Sequence, residues 1–190
     1  ADPKVADFFI PLFSTGGKRV GIITCTVMIR GDLCKRIIGS DPHLHQGDRF
    51  LMGDTQLWIE AAGVSGIHYL PESTATYRIR NESQSRSTDP AKGIRFEISN
   101  TEMMLYLCDK YGLPPQVRDR FEETLQTHSL RLAFWTRGAN LAARAAEKKK
   151  RLSLRERALY YGARHGAVHF LYSTAKRVRK ILGPGDDTWS

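Results

Sequence analysis

The pattern of the 190-residue sequence changes near residue 90, and this change constrains the fold more than any other feature. Before that point, short apolar runs rich in β-branched residues alternate with glycine, proline and polar residues, which is typical of short strands and loops. After it, apolar residues recur every three or four positions over long stretches, which is the periodicity of amphipathic helices. We therefore predict a mixed α/β segment followed by an all-helical segment.

The first segment contains three predicted strands and two predicted helices. The run Val20–Ile29 is almost continuously apolar, as in a buried strand, and Ile67–Leu70 and Thr74–Ile79 are shorter strand candidates. Helices are expected at Asp32–Ile38 and at Asp54–Ala62. The second segment is predicted as four helices, at Ile94–Tyr111, Gln116–Arg131, Ala133–Lys150 and Leu152–Leu182.

Positive charge is concentrated in the second segment. The whole chain has a formal net charge of +9, but residues 131–180 alone contain 14 Lys and Arg residues against 2 acidic residues. Such a basic block indicates an anionic partner, because it attracts negative charge over several ångströms. A membrane surface, a nucleic acid and a phosphorylated substrate all have the required charge.

Cysteine usage and hydropathy point to the cytoplasm. The three cysteines, Cys25, Cys34 and Cys108, are widely spaced and show no metal-binding pattern, so we expect reduced thiols. No apolar run approaches the roughly 18 residues that a membrane-spanning helix requires. The first residues lack the basic and apolar regions of a signal peptide. We expect a cytoplasmic protein, with a peripheral position at the inner face of the cytoplasmic membrane as the alternative.

A Gly-Asp pair begins the second predicted helix, in the run MGDTQLW at residues 52–58. By local pattern alone, Asp54 is a helix-capping acid that complements the helix dipole. Other motifs lie in order around it. ITCTVMIR precedes it at residues 23–30, and GIHYLPE, TATYR and NESQS follow it at residues 66–72, 74–78 and 81–85.

In this order and spacing, the motifs resemble those of the inverting glycosyltransferases of family 2. Members of that family typically combine a Thr/Ser-rich strand that ends in Arg with a GD or ED pair before Leu-Trp. A Tyr-Leu pair and a Tyr-Arg pair followed by Ser come next. The resemblance covers residues 20–85. It implies an α/β fold in which residues 1–112 form the C-terminal, acceptor-side part of a GT-A nucleotide-diphospho-sugar transferase domain. Residues 113–190 would then form a basic helical extension, with more helix than strand in the whole chain.

The resemblance also implies an activity. Family members transfer a sugar from a nucleotide-sugar donor to an acceptor hydroxyl with inversion, and many act in the synthesis of bacterial surface polysaccharides or glycolipids. An inverting transfer needs a base that takes the proton of the attacking hydroxyl, and a carboxylate can do this. By resemblance, Asp54 holds that position and is the expected catalytic residue. The expected partners are the nucleotide-sugar donor and a glycan or lipid-linked acceptor.

The resemblance assigns substrate-binding roles to six more residues, Thr24, Arg30, Trp58, Tyr77, Arg78 and Ser83. In the family, the Tyr-Arg region lies near the donor diphosphate, where the guanidinium of Arg78 would neutralise charge on the leaving group. A surface arginine stacked on Tyr77 is the alternative interpretation. Trp58 lies one helical turn after Asp54. It is either part of the core or a platform on which an acceptor sugar stacks.

Family members bind a divalent metal, Mg²⁺ or Mn²⁺, on the donor diphosphate through a DxD-type acid pair in their N-terminal half. We expect such a metal in the whole enzyme, with its ligands outside this chain. A missing N-terminal half or a partner chain would supply them together with the nucleotide-binding units. By this interpretation the 190 residues alone are inactive.

The alternative function is a non-catalytic basic module that binds a membrane surface or nucleic acid. Residues 131–180 interleave their Lys and Arg residues with six aromatic residues, Phe134, Trp135, Tyr160, Tyr161, Phe170 and Tyr172. This mixture is typical of interfacial helices, and it is equally compatible with a helical bundle that has aromatic residues in its core. No recognisable nucleic-acid-binding motif is present, which disfavours the nucleic-acid alternative.

Overall fold

The computed structural model describes residues 22, 24–45, 49–73, 76 and 89–182, with side chains up to residue 175. These residues form one short 3-10 helix, Thr24–Thr26, and eight α-helices. The helices are α1 (Gly31–Ser40), α2 (Pro42–His45), α3 (Thr55–Val64), α4 (Pro90–Lys110), α5 (Pro115–Thr136), α6 (Ala139–Glu147), α7 (Leu154–Arg164) and α8 (Gly166–Leu182). No helix in the described part of the chain is both long enough and apolar enough to cross a bilayer.

The predicted α/β fold class, the acceptor-side part of a GT-A domain, is wrong, because the described residues contain helices and no strand. Within Val20–Ile29, the described positions form the 3-10 helix and irregular backbone. Ile67–Leu70 is irregular and exposed. A strand requires a neighbouring strand to accept and donate its backbone hydrogen bonds, so β-favouring side chains alone do not create one. The third predicted strand, Thr74–Ile79, lies outside the described residues except for Thr76.

The helical predictions are confirmed where start and stop signals agree with the periodicity. Helices α1, α3, α4 and α5 lie close to their expected bounds. Helix α4 ends as expected near Gly112, which has a left-handed φ of 56°, and the N–H of Leu113 bonds to the carbonyl of Cys108 at 2.9 Å. Pro115 occupies the first position of α5, where its missing N–H costs no helical hydrogen bond.

The last two predicted helices have different bounds in the structure: the first begins later, at Ala139, and the second is two helices. Helix α5 continues through Ala133 to Thr136, and the chain then turns at Arg137, whose φ is 58°. The N–H of Gly138 closes this turn on the carbonyl of Ala133 at 2.9 Å, and α6 begins one residue later. The predicted helix Leu152–Leu182 begins at Leu154 and is interrupted at His165, before Gly166.

The chain divides into two compact units. The first comprises Ala1–Ser83 and Ser99–Asp119, and the second comprises Gln84–Ile98 and Arg120–Ser190. In the first unit, Leu33 and Ile37 of α1 pack with Ala61 of α3. The boundary after residue 112, which the resemblance implies, stays a prediction.

The core of the second unit is built around Phe134, which is fully buried. It packs with residues from α5, α6 and α7, which are Leu130, Ala133, Ala142, Ala145, Leu159 and Ala163. Its ring stacks on the ring of His169 with centroids 4.2 Å apart and meets the ring of Tyr172 edge-on at 5.1 Å. This aromatic cluster fixes α8 against the rest of the unit.

Gly162 in α7 is a packing position. A Cβ atom at this residue would lie 2.5 Å from Cε2 of the buried Phe134 ring. We expect Gly162→Ala to lower the free energy of unfolding of the second unit by about 1–3 kcal/mol, because the ring must move within a packed core. Urea unfolding measures this difference.

Gly93→Ala provides the matched control in the same unit. Gly93 is helical, and nothing lies within 4 Å of the position that its Cβ would take. This substitution should stabilise the protein by about 0.5–1 kcal/mol, since alanine loses less backbone freedom than glycine on folding. A Gly162→Ala protein as stable as Gly93→Ala would contradict the packing of Phe134 against α7.

Candidate functional site

Asp54 stands immediately before α3, with its carboxylate at the helix N-terminus. Its Oδ1 accepts a hydrogen bond from the backbone N–H of Thr55 at 2.7 Å and a longer one from the Thr55 hydroxyl at 3.3 Å. Its Oδ2 accepts a hydrogen bond from the hydroxyl of Thr24. The interpretation of Asp54 as a helix-capping acid is therefore confirmed.

The surroundings of the Asp54 carboxylate leave it available for chemistry. The residue is partly exposed, and its donors among the described residues are one N–H group and two hydroxyls, so no cation neutralises it there. A carboxylate has about four lone-pair positions, and these donors use three. Because the residue is partly exposed, the carboxylate can take a proton or accept a hydrogen bond from a molecule in solvent.

The structure brings one predicted substrate-binding residue into contact with the Asp54 carboxylate and shows no hydrogen bond or ion pair to that carboxylate from Arg30 or Trp58. Thr24 contacts the carboxylate directly, although 30 residues separate the two in sequence. The Arg30 side chain is 77% exposed and lies 3.8 Å from Asp32. Trp58 is buried, 9% exposed, as the core interpretation predicts. The three other predicted residues, Tyr77, Arg78 and Ser83, lie outside the described residues.

A buried charged network in the first unit was not anticipated from the sequence. Glu60 of α3 accepts hydrogen bonds from Lys110 and from the hydroxyl of Tyr111 (2.9 Å), and its Oε2 lies 2.6 Å from Nε2 of His45. Lys110 also bonds to Asp41 at 2.7 Å. The side chains of His45 and Glu60 are 4% and 5% exposed.

Hydrogen bonding controls the protonation of this network. Burial by itself raises the pKa of Glu60, but the bonds from His45, Lys110 and Tyr111 outweigh it, so the pKa lies below its usual value. Burial likewise raises the pKa of Asp41, and bonds from Lys110, Tyr106 and the Leu44 N–H more than offset that increase. Burial lowers the pKa of Lys110, whereas both carboxylates raise it above its usual value.

The network is best described as structural. It joins the start of α2 to α3 and α4, and its two carboxylates are enclosed and paired with a lysine. Asp54, in contrast, is partly exposed and has neutral donors. A sequence signal for the network does exist, because Glu60 interrupts an otherwise apolar stretch of α3, where an acid must find a partner.

A third enclosed carboxylate lies at the start of α7, in the second unit. Glu156 and Ser153 form a capping box, and Oε1 of Glu156 is 2.8 Å from Lys149 Nζ. Burial raises the pKa of Glu156, but hydrogen bonds from Lys149, Ser153 and Thr127 outweigh it and lower the pKa to about 2. The Ser-x-x-Glu spacing predicts such a cap, which is a stabilising feature of the helix start.

Across the residues that the structure describes, no three His, Cys, Asp or Glu side chains are arranged to hold an ion. The resemblance places the ligands of the expected Mg²⁺ or Mn²⁺ outside this chain, so the divalent metal stays a prediction.

Comparison with models of known protein families, with curated proteins and with solved structures finds no match to this chain. The protein is therefore characterised by its fold and by the geometry of its site. In its described residues the protein is helical, and it presents a partly exposed carboxylate at the N-terminus of α3.

Proposed function

We propose that this chain is part of an inverting glycosyltransferase in which Asp54 is the catalytic base. The observation that carries the proposal is the setting of the Asp54 carboxylate. It is held by hydrogen bonds from the first N–H of α3 and from the Thr24 hydroxyl, and it is still partly exposed. The motifs of residues 20–85 supply the reaction class. Thr24 belongs to one of these motifs and Asp54 to another, and their contact supports a common site.

The proposed reaction is a single displacement. Asp54 takes the proton from an acceptor hydroxyl as that oxygen attacks the anomeric carbon of the donor sugar. A new C–O bond forms, and the bond from the anomeric carbon to the nucleoside diphosphate breaks, with its electron pair leaving on the diphosphate. Attack from the opposite face inverts the configuration. The negative charge of Asp54 also stabilises positive charge that develops on the sugar ring.

The contact with Thr24 has a role in this proposal. Its hydroxyl donates to Oδ2 and Thr55 donates to Oδ1, so the carboxylate is held from both sides. A base held in one orientation loses less freedom when the acceptor binds, which favours the reactive geometry. The proposed setting is bacterial polysaccharide or glycolipid synthesis in the cytoplasm, with a glycan or lipid-linked acceptor.

The test is a transfer assay on the full-length gene product, with a panel of nucleotide sugars, Mg²⁺ or Mn²⁺, and extracted glycans and glycolipids as acceptors. NMR of the product reports the anomeric configuration. We expect transfer with inversion relative to the donor. Transfer with retention would exclude a single displacement by Asp54, and the absence of transfer from every donor that binds would refute the reaction class.

A further inference from the structure

The structure separates the aromatic residues of the basic segment into two groups. Phe134 lies in the core of the second unit, and Trp135, Tyr160 and Tyr172 pack against it. Tyr161 and Phe170 are exposed instead. The helical-bundle interpretation therefore accounts for four of the six aromatic residues, and the exposed ones remain to be explained.

Helix α8 has one face directed toward its own unit and one directed away from it. Val168, His169, Tyr172 and Ser173 are partly buried. The exposed positions, which we name the α8 face, are Gly166, Ala167, Phe170, Leu171, Thr174 and Ala175. They recur with helical spacing, and none of them is charged. Phe170 is 68% and Leu171 67% exposed, so two large apolar side chains stand in solvent.

The stretch of sequence that contains α8 carries only positive charge. From Arg157 to Leu182 there is no acidic residue, whereas six residues are basic. Two of these, Arg157 and Arg164, are exposed on α7, and the other four lie in the sequence between residues 176 and 180. An uncharged, largely apolar helix face within a positively charged segment complements a surface that is anionic outside and apolar within.

We propose that the α8 face docks on an anionic lipid surface, with α8 lying along the membrane and Phe170 and Leu171 inserted among the headgroups. Apolar side chains then leave water while the neighbouring basic residues reach lipid phosphates. This proposal does not depend on the glycosyltransferase proposal, because it rests on a helix of the second unit, whereas Asp54 belongs to the first.

The observations favour a lipid surface over two other occupants. A duplex nucleic acid would also attract the neighbouring cations, but its charged backbone offers no apolar layer in which Phe170 and Leu171 would leave water. A stable protein interface buries about 800 Å² on each partner, which two large side chains and four small ones cannot supply. Two apolar side chains are, in contrast, sufficient for reversible membrane binding when cations assist.

The experiment is cosedimentation of the 190-residue chain with phosphatidylglycerol vesicles and with phosphatidylcholine vesicles across a salt series. We expect preference for phosphatidylglycerol at low salt. At about 1 M salt the Debye length falls to about 3 Å, so binding by charge fades and binding by insertion persists. The double variant Phe170→Gln/Leu171→Gln should bind at least about tenfold more weakly at low salt and lose the salt-resistant part entirely.

The matched control is Ile67→Gln/Leu70→Gln, which replaces two exposed apolar residues of the first unit. It should bind vesicles like the original chain. Circular dichroism verifies that both variants keep their helices, as substitution of exposed side chains should allow. Equal binding by the two double variants, or no preference for phosphatidylglycerol, would overturn the proposal. So would self-association in sedimentation that Phe170→Gln/Leu171→Gln abolishes, or tighter binding to duplex DNA at matched salt.

Discussion

Replacing Asp54 with asparagine should lower the kcat of glycosyl transfer by more than about a hundredfold, the usual scale of losing a general base. Asparagine has nearly the same size: its side-chain oxygen can still accept the hydrogen bond from the Thr55 N–H, and its amide N–H can donate to the Thr24 hydroxyl. It is also a good helix-capping residue, so the start of α3 should persist. What it cannot do is take the proton from the acceptor hydroxyl. The loss should therefore fall on kcat, with donor binding little changed.

Asp89→Asn is the control for this experiment. Asp89 precedes α4 as Asp54 precedes α3, and its Oδ1 accepts a hydrogen bond from the Ala91 N–H at 2.8 Å. Both substitutions therefore replace an aspartate at a helix start by the same residue. Kinetics of the full-length gene product, with circular dichroism of each variant, should show loss of turnover for Asp54→Asn alone. Near-normal turnover by Asp54→Asn would remove Asp54 from the proposed mechanism.

The helical part of the fold could be predicted because its signals are local. Periodicity, Pro115 at a helix start and Gly112 at a helix end each act within a few residues. The predicted strands failed because strand formation depends on a partner elsewhere in the chain. Val20–Ile29 has the composition of a strand, but composition does not show whether a neighbouring strand exists.

Glycine positions show the limit of local signals. Gly162 and Gly166 both weaken the predicted helix Leu152–Leu182 by propensity, yet only one of them lies next to the break. The chain leaves the helix at His165, before Gly166, whereas Gly162 stays helical, and its missing Cβ leaves room for the Phe134 ring. That contact joins residues 28 positions apart in sequence, so spacing alone could not reveal it.

The sequence predicted individual residues of the candidate site, but it did not predict which of them contact each other. The sequence indicated both Asp54 and Thr24, but their contact spans 30 residues and required the structure. The charged network around Glu60 was missed for the same reason. Its partners come from two other places in the sequence, Asp41 and His45 at the ends of α2 and Lys110 at the end of α4, and each is unremarkable alone.

The network around Glu60 should carry much of the stability of the first unit. We expect Glu60→Ala to lower the free energy of unfolding by about 3–5 kcal/mol, because removing one member of a buried ion pair leaves the other charge poorly compensated. Lys110 would retain Asp41 alone, and His45 would lose its 2.6 Å contact. Urea unfolding gives the total loss, and hydrogen exchange of the α3 amides localises it. Glu102→Ala, at an exposed acid of α4, should change stability by less than about 0.5 kcal/mol.

The pH dependence gives the same prediction an independent test. The pKa of folded Glu60 lies below its ordinary value of 4.5, so its stabilisation is complete above that value and is lost as pH falls through the folded pKa. The pKa of Lys110 is raised above 10.5, so its part is complete below that value and is lost as pH rises through the folded pKa. The stability difference between the original protein and Glu60→Ala should therefore be greatest near neutral pH and shrink in acid. A difference that is constant with pH would mean that Glu60 stabilises α3 by packing and not by its charge.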